Sequence, residues 1–297
     1  MRTGKAIALT PRDLEIFRSL IHYRYLRSTY LHAFAGGASP TRFKERLGDL
    51  FHEGFLERPG QQWQFAHARY RPALYEIGDG ARRALHAHGV TETGARTFLR
   101  GTVHRQFAHS VMICECLASI ELAARQSIGL RFISWPEIVA RAPAMTRAAP
   151  IPFRIELSSR ALIPDAIFGL EYAQGDKRVY RFFALEADRA TMPVSRSSTG
   201  QTSYLGKLAD YSEITRRELH KSWWRIPNLI VLTVTTSEPR MHEIRRRLTT
   251  NADGNSAFLF KTVAEEGCPL KDPVQSLLCE PWTRAGDLPP LRIDESG

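Results

Sequence analysis

Apolar residues recur every three to four positions along the first ninety residues, a spacing typical of amphipathic helices. The pattern predicts a first helix from Pro11, where proline suits the first helical position, and a second from Ser28. A third helix is predicted to begin after Ser39 and to end at Gly54, with its apolar side chains on one face. Short segments at residues 55–58 and 73–77, each containing strand-forming side chains such as Phe55, Tyr75 and Ile77, then predict the two strands of a loose hairpin.

Three helices followed by a two-stranded hairpin resemble a winged helix-turn-helix domain, which we place at residues 1–90. The resemblance implies binding of double-stranded DNA, with the third helix in the major groove. The expected DNA contacts are polar and basic side chains of the third helix and of the hairpin: Thr41, Arg42, Lys44, Arg46, Arg69 and Arg71. The alternative is that this surface serves protein contacts and its arginines are merely solvated.

A polar connector at residues 91–101 separates this region from a second one, which we place at residues 102–264. The pattern there predicts a helix at 102–126, a strand at 130–135, a hairpin at 162–188, a helix at 204–220, a strand at 229–234, a helix at 239–250 and a strand at 257–260. The fold class is therefore α/β with a mixed sheet. From residue 265 onward, proline and acidic residues predict an extended tail up to residue 297.

The predicted hairpin carries three carboxylates at one end. Asp165 opens its first strand, whereas Glu186 and Asp188 close the second strand two residues apart, so that both point to one face. In an antiparallel pair, the start of one strand lies beside the end of the other. Clustered carboxylates are costly to bury, so we expect all three to bind Mg²⁺, with Mn²⁺ as the alternative ion. The alternative is that Asp188 pairs with Arg189 or Arg181 and that Glu186 is solvated.

The order of helices and strands also resembles the core of the PD-(D/E)XK nuclease superfamily. Pro164 and Asp165 stand where that superfamily has Pro-Asp, and Glu186 stands on the next strand. The superfamily's lysine, two residues after the glutamate, is replaced here by Asp188, so we expect Lys207 to supply the ammonium from the following helix. The resemblance implies magnesium-dependent DNA cleavage, with Asp165, Glu186, Asp188 and Lys207 as the catalytic residues.

A more specific resemblance joins the two halves of the chain. The segments Leu-Thr-Pro-Arg-Asp at 9–13, Pro-Asp-Ala at 164–166 and Leu-Glu-Ala-Asp-Arg-Ala-Thr at 185–191 precede a Lys-x-x-x-Tyr pair, Lys207 and Tyr211. Together they look like the replication-relaxation family of plasmids and integrative elements, over residues 9–235. The resemblance implies a DNA-binding protein of mobile-element replication or transfer, with an endonuclease domain. Two alternatives stay open: a nuclease fold that binds or docks without catalysis, and a winged-helix transcriptional regulator or antitoxin.

Composition narrows the expected partners and compartment. The chain carries 41 Lys and Arg against 31 Asp and Glu, and this net charge of +10 suits a polyanion such as DNA. The four cysteines have no Cys-x-x-Cys spacing, and the longest unbroken apolar run, residues 229–232, is too short to cross a bilayer. We therefore expect a cytoplasmic protein without a membrane partner. Besides DNA, the expected partners are a replication or transfer protein of the same element and a second copy in a homodimer.

Glu115, on the helix predicted at 102–126, is a further candidate metal ligand, because some nuclease-superfamily members supply an acid from this helix.

Overall fold

The structure, a computed structural model, describes residues 4, 6–65, 67–90, 104–158, 160–189, 204–249, 255–263, 270–285 and 288–296. The chain divides into two units, the first made of residues 1–122 and 267–274, the second of residues 123–266 and 275–297. We had predicted a division at residues 91–101, which lie outside the described residues. The structure instead divides the chain inside the long helix that follows, because most of that helix packs with the first unit.

The first unit contains the three predicted helices and hairpin, together with a short strand that the pattern did not predict. Its elements are α1 (Pro11–Tyr23), β1 (Leu26–Arg27), α2 (Ser28–Ala35), α3 (Pro40–His52), β2 (Leu56–Glu57), 3₁₀ turns at Gly60–Gln64 and Ala68–Tyr70, β3 (Leu74–Ile77), α4 (Asp79–Ala87) and most of α5 (His104–Gln126). The strands form an antiparallel sheet in the order β1–β3–β2. A two-residue strand is too short to show the alternation that reveals longer strands.

Side-chain caps confirm two of the predicted helix starts of the first unit, those of α1 and α3. The side chain of Thr10 accepts a hydrogen bond from the Asp13 amide, while the Asp13 carboxylate accepts one from the Thr10 amide at 2.7 Å. Ser39 caps α3 in the same way by accepting a bond from the Arg42 amide at 3.3 Å. Such caps satisfy amide groups that have no partner within the helix, and this fixes where α1 and α3 begin.

The second unit is built around a six-stranded mixed sheet, which confirms the predicted α/β class. Its elements are β4 (Leu130–Ile133), α6 (Trp135–Arg141), α7 (Ala144–Ala148), β5 (Ile155–Glu156), β6 (Ala161–Leu162), β7 (Ala166–Gln174), β8 (Lys177–Asp188), α8 (Tyr204–Arg216), α9 (Leu219–Trp224), β9 (Ile230–Thr235), α10 (Glu238–Thr249), a 3₁₀ turn at Asn255–Ala257, β10 (Phe258–Thr262), α11 (Ser276–Cys279) and β11 (Thr283–Arg284). The strand order is β11–β10–β9–β8–β7–β4, and β8, β9 and β10 run parallel. β5 and β6 form a separate pair.

The predicted central hairpin is confirmed as β7 and β8. Their two-residue turn contains Gly175 at φ +58°, in the left-handed region that glycine adopts without strain. The antiparallel register pairs Ala166 with Leu185. Asp165, which directly precedes β7, therefore lies across from Glu186 of β8.

The end of the chain does not form the extended tail that we predicted from residue 265. Residues 270–274 belong to the first unit, whereas α11 and β11 belong to the second, where β11 pairs with β10. Trp282 and Ile293 have no exposed surface, and the Tyr172 hydroxyl donates to the Ile293 carbonyl at 2.5 Å. Proline and acidic residues indicated a loop-rich segment, but its few large apolar side chains are enough to bind it to the sheet.

One stretch among the described residues, Phe107–Gln126 of α5, is long and apolar enough to cross a membrane. Its mean hydropathy is 1.4, and 83% of it is buried within the fold. A buried core helix meets the same criteria of length and composition, so these alone are weak evidence for a membrane span.

Candidate functional sites

Asp165 and Glu186 meet at one end of the hairpin, and Lys207 of α8 contacts both carboxylates. The Lys207 Nζ lies 3.2 Å from the Asp165 Oδ1 and forms an ion pair with the Glu186 Oε2. The other oxygen of each carboxylate accepts a hydrogen bond: Asp165 Oδ2 from the Ala187 amide at 3.0 Å, and Glu186 Oε1 from the Tyr211 hydroxyl. All four carboxylate oxygens are thus engaged. We call these four side chains, Asp165, Glu186, Lys207 and Tyr211, the carboxylate cluster.

Local sequence features build this cluster. Lys207 and Tyr211 are four residues apart, so they lie on one face of α8. The hairpin register brings Asp165 opposite Glu186, and the two strand ends therefore present both carboxylates to that helix face. The structure thus brings together three of the four predicted catalytic residues.

Burial dominates the electrostatics of the cluster. Glu186 is 1% exposed, and burial, reinforced by the charge of Asp165, raises its pKa to about 8 despite the bonds from Lys207 and Tyr211. Burial by itself lowers the pKa of Lys207, but the two carboxylates outweigh it and leave that pKa raised. Lys207 is therefore a firmly held ammonium, and it is the cation that compensates the buried acids.

Asp188 does not join the cluster, which corrects our prediction of a three-carboxylate pocket. It is 4% exposed and forms a two-pronged ion pair with Arg240 of α10, at 2.7 and 3.2 Å. Two residues along a strand correspond to a rise of about 7 Å, so Asp188 reaches α10 rather than α8. An arginine thus neutralises Asp188, as our alternative proposed, although we did not anticipate Arg240. Among the described residues, no group of three or more His, Cys, Asp or Glu side chains is placed to hold a metal ion.

The cluster offers a divalent cation two carboxylates, one fewer than the site that we predicted. Magnesium is commonly bound through one or two carboxylates, with water and substrate oxygens completing its shell. Asp165 and Glu186 supply two such carboxylates, but Lys207 already contacts both. A metal ion would have to take at least one oxygen from that ammonium.

Glu115 already has a partner within the first unit, and this gives no support to our suggestion that it adds a metal ligand. In the first unit, its carboxylate forms an ion pair with Arg27 of β1 at 2.8 Å, and both side chains are at most 2% exposed. The pair ties α5 to the small sheet. Its role is therefore structural.

The first unit contains a cleft of about 630 Å³ lined by five basic side chains and one acidic side chain, Asp272. We call it the basic cleft. The basic residues come from α3, from the cleft loop (residues 58–73, between β2 and β3) and from residues 270–274: Lys44, Arg58, Arg69, Arg71 and Lys271. Three of the six predicted DNA contacts, Lys44, Arg69 and Arg71, therefore meet at one place.

The cleft loop is anchored at both ends. Gln62 is 4% exposed; its side chain accepts a hydrogen bond from the Leu74 amide at 2.9 Å and donates to the Leu74 carbonyl at 3.2 Å. The Arg58 guanidinium lies 4.6 Å from the Phe51 ring centre and donates to the Tyr75 hydroxyl. The described parts of the loop are therefore held against the domain core.

Arg58 and Lys271 were not among the predicted contacts. Arg58 is the last residue of the run that predicted the first hairpin strand, so its basic side chain could have been counted with this surface. Lys271 could not, because it belongs to the stretch we predicted as a tail. The Thr29 hydroxyl donates to the Lys271 carbonyl at 2.9 Å, and the Tyr30 hydroxyl donates to the Asp272 carbonyl at 2.9 Å. These bonds fix the late segment on α2.

The other three predicted DNA contacts, Thr41, Arg42 and Arg46, do not line the cleft, and they differ in their surroundings. Arg46 bonds both oxygens of Asp13 at 3.0 and 2.7 Å, and it also donates to the Ala8 carbonyl. Burial raises the pKa of Asp13, but the bonds from Arg46 and Thr10 outweigh it and leave that pKa lowered. The structure thus gives Arg46 a structural role instead of an exposed one. Thr41 and Arg42 are exposed on α3 but do not line the cleft.

Comparison with known proteins identifies the family. Residues 17–229, well over half of the 297 residues, match the family described as replication-relaxation. Comparisons with curated proteins and with solved structures gave no match. The chain therefore belongs to the replication-relaxation family, as its sequence motifs predicted, and this membership connects it with the replication of plasmids and mobile elements.

Proposed function

We propose that this protein binds double-stranded DNA through the basic cleft during plasmid or mobile-element replication. The observation that carries the proposal is the convergence of five basic side chains, from three separate stretches of the chain, on a cleft with one acidic residue. Phosphate groups are the ligands that such a set of cations favours, and contacts to them dominate the affinity of most DNA-binding proteins.

The arrangement of the first unit supports a winged-helix mode of binding. The exposed side of α3 carries Thr41, Arg42 and Lys44, whereas Phe43 and Leu47 face the core. In this mode α3 would enter the major groove, and the cleft loop would contact the sugar–phosphate backbone through Arg69 and Arg71.

A triple substitution, Lys44→Ala with Arg69→Ala and Arg71→Ala, tests the proposal. We expect duplex affinity, measured by fluorescence anisotropy, to fall at least tenfold, and the plot of log K against log salt to flatten by about 0.9 per lost phosphate contact. The matched control removes three exposed cations of the second unit, through Lys177→Ala, Arg225→Ala and Arg246→Ala. Equal weakening by both triple variants would show that the cleft is not the DNA site.

A second candidate function, metal-dependent cleavage of DNA, belongs to the carboxylate cluster. It is favoured by one observation: Lys207 reaches both Asp165 and Glu186 from α8, as expected for a relocated nuclease lysine. Asp165 and Glu186 would hold the ion, which would supply Lewis acidity at the scissile phosphate and a more acidic bound water. The Lys207 ammonium would offset negative charge that develops on the phosphate, and Arg240 would keep Asp188 neutralised beside it.

Nicking of supercoiled plasmid in Mg²⁺ or Mn²⁺ tests this second function. We expect Asp165→Asn and Glu186→Gln to abolish nicking while duplex binding is kept, and Glu171→Gln, at the far end of the hairpin, to nick normally. If the parent protein binds DNA but does not nick it with either ion, the non-catalytic docking role is favoured instead.

The expected protein partner and the expected homodimer stay predictions. Light scattering with and without DNA tests the homodimer.

A further inference from the structure

A large aromatic side chain stands exposed in the basic cleft. Tyr70 is 86% exposed and lies between Arg69 and Arg71 in the cleft loop. Trp63 of the same loop is 55% exposed. Aromatic rings contribute stability mainly when they are buried, so two exposed rings in one loop point to contact with a ligand.

The backbone that carries Tyr70 is held in a tight turn. The Tyr70 amide donates to the His67 carbonyl at 2.9 Å, which closes a tight turn, and His67 itself has φ +56°. Phe65 is 6% exposed and stacks on Phe107 at 5.6 Å, so the chain just before this turn is packed into the core. A non-glycine residue keeps a left-handed backbone only where its surroundings enforce it. Tyr70 is therefore presented outward on an anchored turn.

Intact duplex DNA gives such a ring little to bind. Its bases cover one another's faces, and its phosphates require only cations. An unpaired base exposes a face on which an aromatic ring can stack, and such stacking contributes about 1–3 kcal/mol per base. Arg69 and Arg71, the neighbours of Tyr70, are placed to hold the backbone on either side of a stacked base.

We propose that the basic cleft recognises DNA that contains unpaired bases, such as a locally melted duplex, and that Tyr70 stacks on one of those bases. This inference rests on the proposed DNA binding and specifies its substrate. The five basic side chains around the ring favour a polyanion over an apolar protein surface as the ligand. Melted DNA arises whenever replication opens a duplex, so the preference would direct the protein to sites of opening.

Anisotropy titrations with two labelled probes of equal length test the proposal: a fully paired duplex, and the same duplex with a central stretch of mismatches. We expect the parent protein to bind the mismatched probe more tightly. Tyr70→Ala should weaken binding to the mismatched probe about 5- to 150-fold, the equivalent of one stacked base, and leave duplex binding nearly unchanged. Tyr70→Phe keeps the ring and should keep the preference. Met145→Ala, at a residue of the second unit that is 78% exposed, is the matched control and should change neither affinity.

The outcomes separate this proposal from the one on which it rests. If the parent binds both probes equally, or if Tyr70→Ala weakens both to the same extent, stacking on unpaired bases is disproved and duplex binding still stands. If the parent binds neither probe, the proposed DNA binding fails, and the preference for unpaired bases fails with it.

Discussion

The basic cleft and the carboxylate cluster are both rich in charge, but only one of them has charge to offer a ligand. The cleft collects five cations with a single acid among its lining residues, and Lys44, Arg69 and Lys271 are exposed. In the cluster, every oxygen of Asp165 and Glu186 already accepts a bond from the protein itself. The number of charged groups at a site therefore indicates less about its ability to bind a charged ligand than whether the fold already supplies their counter-charges.

Solvation explains the difference. An exposed cation is stabilised by water and needs no partner, so the cleft can keep its charges available to a phosphate. A buried carboxylate loses most of that solvation and must be compensated inside the fold. The cluster therefore has to give up an internal contact before it can bind anything, whereas the cleft can use its exposed cations, Lys44, Arg69 and Lys271.

The largest expected effect comes from removing the internal cation of the cluster. At pH 9, above the pKa of about 8 of Glu186, Lys207→Met leaves two neighbouring carboxylates without their ammonium, and we expect the free energy of unfolding to fall by about 3–5 kcal/mol. Urea unfolding followed by circular dichroism measures it. Lys221→Met is the matched control, because Lys221 is 48% exposed and pairs with exposed Glu218, so its loss should change stability little. Similar losses in both variants would refute the view that Lys207 compensates buried charge.

A divalent cation should partly replace the missing ammonium. In Lys207→Met we expect Mn²⁺ at a hundred times its dissociation constant to restore about 2.7 kcal/mol, and thermal unfolding with and without the ion measures the gain. The double variant Lys207→Met with Glu186→Gln should lose the response, because only one carboxyl group, that of Asp165, remains to hold the ion. An equal response in the double variant would show that the ion binds somewhere else.

A smaller effect separates the two arginines of α3 that we first assigned to DNA. Arg46→Met breaks the bonds to buried Asp13 and should lower stability by about 1–2 kcal/mol with little change in duplex affinity. Arg42 is exposed and lies one turn earlier on the same helix. Arg42→Met should therefore weaken duplex binding and leave stability nearly unchanged. Urea unfolding and anisotropy on the same samples decide the matter, and the assignment of Arg46 fails if its loss weakens DNA binding as much as that of Arg42.

The smallest expected effect is the pH dependence of that Asp13–Arg46 pair. The pKa of Asp13 is lowered from 3.8, so the ionised form is favoured by folding. Its contribution is fully present above 3.8 and is lost as the pH falls through the folded-state pKa. The stability difference between the parent and Arg46→Met should therefore shrink below pH 3.8, and urea midpoints across this range measure it. If the stability difference between the two proteins stays constant across this pH range, Asp13 is not the partner through which Arg46 stabilises the fold.

The sequence was most informative where a site depends on local geometry. The pairing of Asp165 with Glu186 follows from a hairpin register, and Lys207 and Tyr211 share one helix face through their four-residue spacing. That this face meets the hairpin was expected only from the family resemblance, because Lys207 and Asp165 are 42 positions apart. The helix starts at Thr10 and Ser39 were predictable for the same reason, because a cap acts within one turn.

Pairs formed at long range were beyond this kind of reasoning. Asp188 and Arg240 are 52 positions apart, and Asp13 and Arg46 are 33 apart. Nothing in the sequence distinguishes Arg240 from the other arginines of α10, since the choice depends on how that helix lies on the sheet. The segment after residue 265 was misjudged because average composition hides the effect of single side chains such as Trp282.

One wall of the basic cleft comes from residues 270–274, which lie more than two hundred residues after α3 in the sequence. A recombination event that joined residues 1–122 to a different downstream sequence would carry over α3 and the cleft loop but leave Lys271 behind. The Thr29 hydroxyl would also lose its acceptor on Lys271, and the Tyr30 hydroxyl would keep its bond with Ser119 but lose the one to Asp272. Exchange of the first unit among mobile elements is therefore expected to succeed only when both stretches are inherited together.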